Sequence, residues 1–144
     1  MLILSLSLLI LYPLYALFLR KESTYKYAFG LLRGHTLFVL SIVGVFVVTK
    51  NKHHLKNVGA CIITPNHSSY IDILVLYRVV PNYFIFMGKH TLLTIPVFNI
   101  FFKKMNIAVN RKSIVSGKKA IEACANELKK GHGVTLFPEG TIPD

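Results

Sequence analysis

The chain has 144 residues, of which 53% are hydrophobic, and a formal net charge of +11 from 17 lysines and arginines against 6 acidic residues. This length suits one domain with one core, and the positive excess favours an anionic partner. Because the chain is so apolar and no basic run alternates with aromatic residues, we expect membrane phospholipids as partners and exclude nucleic acid.

The chain opens with an uncharged and almost wholly apolar run, Leu2–Leu19. A helix over this run would be about 27 Å long, close to the roughly 30 Å hydrocarbon core of a bilayer. We therefore predict a membrane helix that either spans the bilayer or lies in its surface. A spanning helix followed by Arg20 and Lys21 leaves the rest of the chain on the cytoplasmic face, at the inner membrane in a bacterium. A secretory signal is the alternative, although the usual preceding positive charges and cleavage site are missing.

A second helix is predicted over residues 24–43, where aromatic and basic side chains suit the level of the lipid headgroups. The run Val45–Val48 is then predicted to be the first strand of a sheet. The alternative is that residues 36–48 simply belong to the core. These boundaries divide the chain into an N-terminal membrane anchor, residues 1–44, and a second unit, residues 45–144.

From residue 45 onward, short β-branched runs alternate with helical patterns. This alternation predicts an α/β fold in which a mostly parallel sheet is flanked by helices. The predicted strands are residues 45–48, 60–63, 83–87, 107–109 and 134–137. The predicted helices begin near Ser69, cover Leu92–Phe102 with an interruption at Pro96, and cover Ser113–Lys130.

The helix over Ser113–Lys130 has the clearest pattern, because apolar residues fall on one stripe with lysines opposite. Gly131 is placed to end the helix. We predict that the apolar stripe faces the core: Ile114, Gly117, Ile121, Cys124, Ala125 and Leu128.

The cysteines and most histidines of the chain lack partners nearby in the sequence. Cys61 and Cys124 have no second ligand at metal spacing, so we expect buried free thiols, no disulfide framework and no metal site. His35, His90 and His132 likewise have no local partner, and we expect them in surface or loop positions.

The stretch Asn66–Asp72 places His67 and Asp72 five positions apart, just after a predicted strand. If Ser68 begins a helical turn, Asp72 can accept a hydrogen bond from one nitrogen of His67. That bond would fix the imidazole tautomer and leave the other nitrogen free to accept a proton. We therefore predict a general base oriented by an aspartate. Neighbouring hydroxyl groups are alternative nucleophiles, but we expect them to cap and shape the turn: Ser68, Ser69 and Tyr70.

A second motif, Phe137-Pro138-Glu139-Gly140-Thr141, follows the last predicted strand. Together and in this order, the two motifs resemble those of the glycerolipid acyltransferase family typified by 1-acyl-glycerol-3-phosphate acyltransferase. The resemblance implies transfer of an acyl group from acyl-CoA or acyl carrier protein to the hydroxyl of a lysophospholipid. The most direct acceptor is lysophosphatidate, which gives phosphatidate in phospholipid biosynthesis. The resemblance implies no covalent acyl-enzyme, no cofactor and no metal.

The resemblance also implies the substrate-binding residues. In the family an arginine after a short apolar strand binds the acceptor phosphate, and Arg111 matches that position; its planar guanidinium suits bidentate contact. Lys89 ends another predicted strand, where family members often carry a lysine. Glu139, Gly140 and Thr141 match the block that positions the acceptor, and a glycine allows close backbone approach to the ligand.

The chain departs from the family pattern at residues 142–144, Ile-Pro-Asp, where many members have an arginine and a serine. The family continues with a fourth apolar block, so we expect residues 45–144 to be the front part of a longer enzyme with an incomplete sheet. Three other functions stay open. They are acyl transfer to another acceptor (another lysophospholipid, glycerol-3-phosphate or a lyso-aminolipid), inactive lipid binding at a membrane, and metal-dependent hydrolysis at His67 and Asp72.

Overall fold

A computed structural model describes residues 2–55 and 58–140, without the side chains of residues 2 and 52. Two helices come first, α1 (Leu2–Phe18) and α2 (Tyr25–Ile42), joined by a 3₁₀ turn at Glu22–Thr24. The Thr24 hydroxyl closes this turn by donating to the carbonyl of Phe18 at 2.6 Å. Both helices confirm the predicted positions of helical structure. Across the described ranges, no helix is long and apolar enough to cross a membrane.

The rest of the chain forms a four-stranded sheet in the order β1-β4-β2-β3, with every neighbouring pair parallel. Because parallel strands need crossover connections, helices lie between them. This confirms the predicted α/β class. The strands are β1 (Ile62–Ile63), β2 (Phe84–Lys89), β3 (Ile107–Val109) and β4 (Gly133–Thr135), and the helices are α3 (Ile71–Val79), α4 (Asn99–Lys104) and α5 (Ile114–Lys129).

The helix predicted over Leu92–Phe102 is interrupted around Pro96, as the sequence predicted, although its first piece is a 3₁₀ turn. A 3₁₀ turn covers His90–Thr94, and α4 begins only at Asn99. Pro96 has no N–H to donate, and Val97 has a positive φ of 65°. The bend around the proline therefore separates the two helical segments.

The sheet packs a different core on each face, because successive strand residues point to opposite sides. Phe84 and Phe86 of β2 face a large core that includes side chains from α1 to α4, whereas Ile85 faces Cys124 of α5. Residues 1–44 contribute six buried side chains to the large core: Leu8, Tyr15, Leu19, Ala28, Phe29 and Leu32. The N-terminal helices therefore pack on the sheet, and the domain boundary at residue 45 stays a prediction.

The bounds of α5 confirm the sequence prediction, but part of the predicted buried stripe is wrong. The Ser113 hydroxyl accepts from the N–H of Ser116 at 3.2 Å, and Gly131 has a φ of 86° after the last turn. Ile114 and Ile121 are exposed, however, whereas Ala120 is buried. The face that packs on the sheet through Cys124 and Leu128 therefore includes only part of the apolar stripe.

The prediction of a strand at Val45–Val48 is also wrong. The segment has no strand assignment, and Phe46 and Val48 are exposed. A strand needs a neighbour for its backbone groups, and within the described residues β1 pairs only with β4. The β-branched composition of the segment therefore finds no partner in this sheet.

A buried histidine joins α1 to α2, contrary to the expectation of a surface or loop position for His35. His35 Nε2 lies 2.8 Å from the Ser7 hydroxyl, and Nδ1 lies 3.2 Å from the Tyr15 hydroxyl. Because the Ser7 hydroxyl also donates to the carbonyl of Ile3 at 2.7 Å, it accepts from Nε2–H. Nδ1 therefore accepts from Tyr15. This directional chain of hydrogen bonds requires a neutral imidazole.

Lowering the pH is expected to destabilise the chain through His35. Burial lowers the pKa of His35 below its ordinary value of 6.5, so the unfolded chain binds more protons once the pH falls below that value. Stability is full above it and declines as the pH decreases, by at most about 1.4 kcal/mol per pH unit.

Urea unfolding at about pH 7.5 and about pH 5 measures this loss. We expect His35→Gln to lose less stability than the unsubstituted chain on acidification. His90→Gln, which alters an exposed histidine, serves as the control and should keep the full loss. Equal pH dependence in all three proteins would contradict the assignment.

Candidate active site

The loop after β1 places His67 beside the first turn of α3. His67 Nδ1 lies 3.1 Å from Asp72 Oδ2, the contact that the sequence predicted. The His67 side chain is 13% exposed and that of Asp72 is 25% exposed, so the pair is shielded but reachable from solvent. Within the described part of the chain, no hydrogen bond reaches His67 Nε2. The free nitrogen can therefore act on a ligand.

Asp72 is held as a carboxylate by three donors on one oxygen. Oδ2 accepts from the backbone N–H groups of Ser68 and Ser69, each at 2.8 Å, and from His67. Burial alone would raise the pKa of Asp72, but the hydrogen bonds from Ser69, His67 and Ser68 outweigh it and hold the pKa below its ordinary value. The ionised aspartate in turn requires a proton on His67 Nδ1.

The serines of this loop contribute mainly backbone groups. The Ser69 hydroxyl accepts from the N–H of Ile71 at 3.2 Å, in the first turn of α3. A side chain that shapes a turn makes this kind of bond, which agrees with the turn-shaping role predicted for Ser69. It leaves the hydroxyl directed at the backbone rather than at His67.

The parallel sheet brings the other predicted residues to the same edge as His67. Lys89 ends β2, and Arg111 follows β3 by two positions. The register pairs Lys89 with Val109, so the ends of β2 and β3 are level. Glu139 and Gly140 follow β4, which lies between β1 and β2. Thr141 lies outside the described residues.

Arg111 is bonded to the loop after β4. Its Nη1 donates to the carbonyl of Gly140. Gly140 has a positive φ of 75°, and a Cβ atom there would meet Arg111 Nη1. Because the guanidinium ends a flexible side chain that can shift, it is the backbone conformation that favours glycine. Among the described residues, Lys89 and Glu139 have no ion pair, which leaves their charges available.

The sequence reading missed an aromatic contact at the site. The ring of Phe137 stacks on the His67 imidazole, with centroids 3.9 Å apart and planes inclined by 19°. An aromatic residue at the exit of β4, directly before the Pro138-Glu139 turn, was the available signal. The contact became visible only from the pairing of β1 with β4, which places the loops after these two strands side by side.

A second group of ionisable side chains lies at the opposite, amino end of the strands. We call it the amino-edge cluster: Glu22, Glu127, Lys130 and His132. Lys130 bonds to both glutamates, and His132 Nδ1 lies 2.7 Å from Glu127 Oε2. Burial would raise the pKa of Glu127, but His132 and Lys130 lower it below its ordinary value. The expectation that His132 has no partner is therefore wrong, and the cluster ties the α1–α2 turn to α5.

The described His, Cys, Asp and Glu side chains form no group of three or more that could hold a metal ion. The carboxyl edge of the sheet carries Arg111, Lys89 and the free imidazole nitrogen of His67. They suit proton abstraction beside an anionic ligand.

Comparisons with known proteins agree with this chemistry. The family model described as Acyltransferase matches residues 46–144. The chain is 28% identical over 117 residues to the 1-acyl-sn-glycerol-3-phosphate acyltransferase of Borreliella burgdorferi, covering 81% of this chain and 47% of that protein. It is 26% identical to the Salmonella typhimurium protein of the same name and 25% identical to the Escherichia coli one, each over 89% of this chain and 52% of the relative.

The chain thus spans about half the length of the curated relatives it matches. No solved structure matches it. The family model begins one residue after the predicted boundary at residue 45 and includes the His67–Asp72 pair, Arg111 and Gly140.

Proposed function

The chain belongs to the acyltransferase family, and we propose that its site passes an acyl group from a thioester to the free hydroxyl of a lysophospholipid. The names of the relatives favour 1-acyl-glycerol-3-phosphate as the acceptor, which would become phosphatidate. The observation that carries the proposal is the 3.1 Å contact between His67 and Asp72, on the same sheet edge as Arg111. The donor would be acyl-CoA or acyl carrier protein, and the thioester needs no further cofactor for activation.

In the proposed reaction His67 is the general base. Its Nδ1–H donates to ionised Asp72, so Nε2 accepts the proton of the acceptor hydroxyl. As that O–H bond breaks, the oxygen attacks the thioester carbonyl carbon. The tetrahedral intermediate then loses the thiolate by C–S cleavage, and the imidazolium returns the proton to the sulfur. Help of this kind is typically worth about 10²–10⁴ in rate.

The acceptor phosphate would bind to the cations at the carboxyl edge. Arg111 uses one N–H on Gly140 and keeps further donors of its planar fork for phosphate oxygens. Lys89 extends from β2, the strand between β3 and β4, and adds a second positive charge. Glu139 and Thr141 are proposed to position the acceptor through its glycerol hydroxyl, with the loop held at Gly140.

The same chemistry would serve another acceptor. Arg111 and Lys89 favour a phosphorylated molecule, which includes glycerol-3-phosphate and other lysophospholipids. A lyso-aminolipid fits less well, because it offers no phosphate to the two cations. The cations favour a phosphorylated acceptor without choosing among them, and the names of the relatives favour lysophosphatidate.

The proposal includes attachment of α1 and α2 to a membrane surface. α1 has no charged residue, and both helices expose large apolar side chains: Leu6, Leu9, Ile10, Leu17, Phe38 and Ile42. Such a face is costly in water and suits the boundary between headgroups and acyl chains. Arg20, Lys21 and Lys26 adjoin it and would attract anionic headgroups.

Replacing the general base is expected to abolish transfer. His67→Ala removes the acceptor of the hydroxyl proton, and we expect turnover to fall by about 10²–10⁴. The assay follows acyl transfer to lysophosphatidate in detergent micelles with acyl-CoA or acyl carrier protein as donor. His53→Ala, which alters an exposed histidine outside both motifs, is the control and should retain activity.

Retained turnover in His67→Ala would end the general-base assignment. Equal binding of lysophosphatidate by both proteins, without turnover in either, would instead assign the chain a lipid-binding role.

Removing the guanidinium is expected to weaken the binding of phosphorylated acceptors but not of an acceptor without a phosphate. Hydrogen bonds to charged groups contribute about 1.5–3 kcal/mol, so Arg111→Gln should raise the KM for lysophosphatidate by roughly tenfold to a hundredfold. Monoacylglycerol, which lacks the phosphate, is the comparison acceptor. Arg111→Lys keeps the charge without the fork and should fall between. An equal loss with both acceptors would mean that Arg111 only holds the Gly140 loop.

A charge in the apolar face is expected to prevent membrane attachment. Ile10→Glu places a carboxylate on α1, whereas Ile121→Glu places one on α5; the two native side chains are similarly exposed, at 70% and 68%. In flotation with vesicles of phosphatidylglycerol and phosphatidylcholine, the first variant should remain in solution and the second should float. Equal flotation of the two variants would mean that the exposed face of α1 does not bind the membrane.

A further inference from the structure

His67 is constrained on one face by the loop that follows β4. The Phe137 ring lies 3.9 Å from the imidazole centroid, with the planes inclined by 19°. Phe86 of β2 lies on Phe137 in turn, with centroids 6.3 Å apart and planes inclined by 15°. Phe86 is buried in the larger core. The catalytic imidazole is therefore the outermost member of a three-ring stack that begins inside the sheet.

The stacking contact restricts the tilt of the His67 ring, which the hydrogen bond to Asp72 alone does not fix. The bond at Nδ1 and the covalent link to Cβ still leave the ring small rotations about χ1 and χ2 that tilt the imidazole plane. Contact of a flat ring against the imidazole face opposes that tilt. With both contacts in place, the direction of Nε2 is determined.

Phe137 is itself held by the chain around it. The residue before a proline is restricted to extended backbone, and Pro138 follows directly. Two positions further on, Gly140 is bonded to Arg111. The segment that carries the stacking ring therefore also carries the residues proposed to hold the acceptor.

From this geometry we propose that Phe137 is a positioning residue, which aligns His67 for proton transfer and couples that alignment to the acceptor loop. The inference rests on the proposed function for its chemical meaning. The aromatic face also suits the reaction, because the imidazole becomes cationic when it takes the proton, and a cation is attracted to a π face. A phenylalanine that merely filled the core would give neither effect.

The experiment compares two variants with a matched control. Phe137→Leu removes the ring and keeps an apolar side chain, and Phe137→Tyr keeps the ring. Phe98→Leu is the control, because Phe98 is also half-buried and packs on other phenylalanine rings, but not on a histidine. If Phe137→Leu fails to fold, Phe137→Met serves as the second non-aromatic variant.

The first readout needs no activity. In NMR spectra of the 144-residue chain, with signals assigned through His67→Ala, the ring current of Phe137 should shift the His67 ring protons upfield. Phe137→Leu should abolish that shift and broaden the His67 ring signals while the tautomer set by Asp72 is kept, whereas Phe137→Tyr and Phe98→Leu should leave both the shift and the line widths unchanged. Unchanged His67 signals in Phe137→Leu would overturn the inference.

The second readout is kinetic. A misplaced catalytic group can cost on the order of 10²-fold, so Phe137→Leu should lower kcat by about tenfold to a hundredfold with little change in the acceptor KM. Phe137→Tyr should restore kcat. A normal kcat in Phe137→Leu, with the His67 signals moved, would overturn the positioning role. If no protein turns over but the NMR response holds, the proposed function fails and the alignment of the ring stands.

Discussion

The convergence of three donors on one oxygen of Asp72 is the interaction on which the site depends. Two backbone N–H groups and His67 Nδ1 meet at Oδ2. The backbone donors belong to the turn that precedes α3. The start of this helix therefore holds the carboxylate in one orientation. The same bonds keep it ionised. The imidazole tautomer, and hence the free lone pair on Nε2, follows from the local fold of a few residues.

The sheet then determines what surrounds that lone pair. In an all-parallel sheet every strand ends at the same edge, so loops distant in sequence become neighbours. The loop after β4 lies beside the loop after β1, because β4 pairs with β1. Phe137 reaches His67 for this reason, and Arg111 reaches Gly140 although the residues are 29 positions apart. His67, the ring stacked on it and Arg111 thus lie at one edge of the sheet without any one segment containing all three.

Contacts within one segment were predictable from the sequence, and contacts between segments were not. The His67–Asp72 contact and the ends of α5 follow from spacing and capping, which act over about one helical turn. The stack of Phe137 on His67 and the burial of His35 depend on which strands and helices become neighbours. The face of α5 was misjudged because Ile121 counts as apolar in any pattern, whereas which side of the helix meets the sheet depends on the tertiary fold. The strand predicted at Val45–Val48 was wrong because a strand also needs a neighbouring strand, which the composition of one segment does not reveal.

The two edges of the sheet also differ in how their charges are used. In the amino-edge cluster each charged group has a partner: Lys130 serves both glutamates, and Glu127 also bonds to His132. Such a network stabilises the contact of α5 with the α1–α2 turn and pairs each of its four members. At the carboxyl edge, Arg111 has no carboxylate partner among the described residues and bonds to a neutral carbonyl. A guanidinium without a carboxylate partner keeps its full attraction for an anion. The proposed acceptor phosphate would therefore meet an unpaired guanidinium at the edge that carries His67, and the +11 charge of the chain would add attraction at longer range.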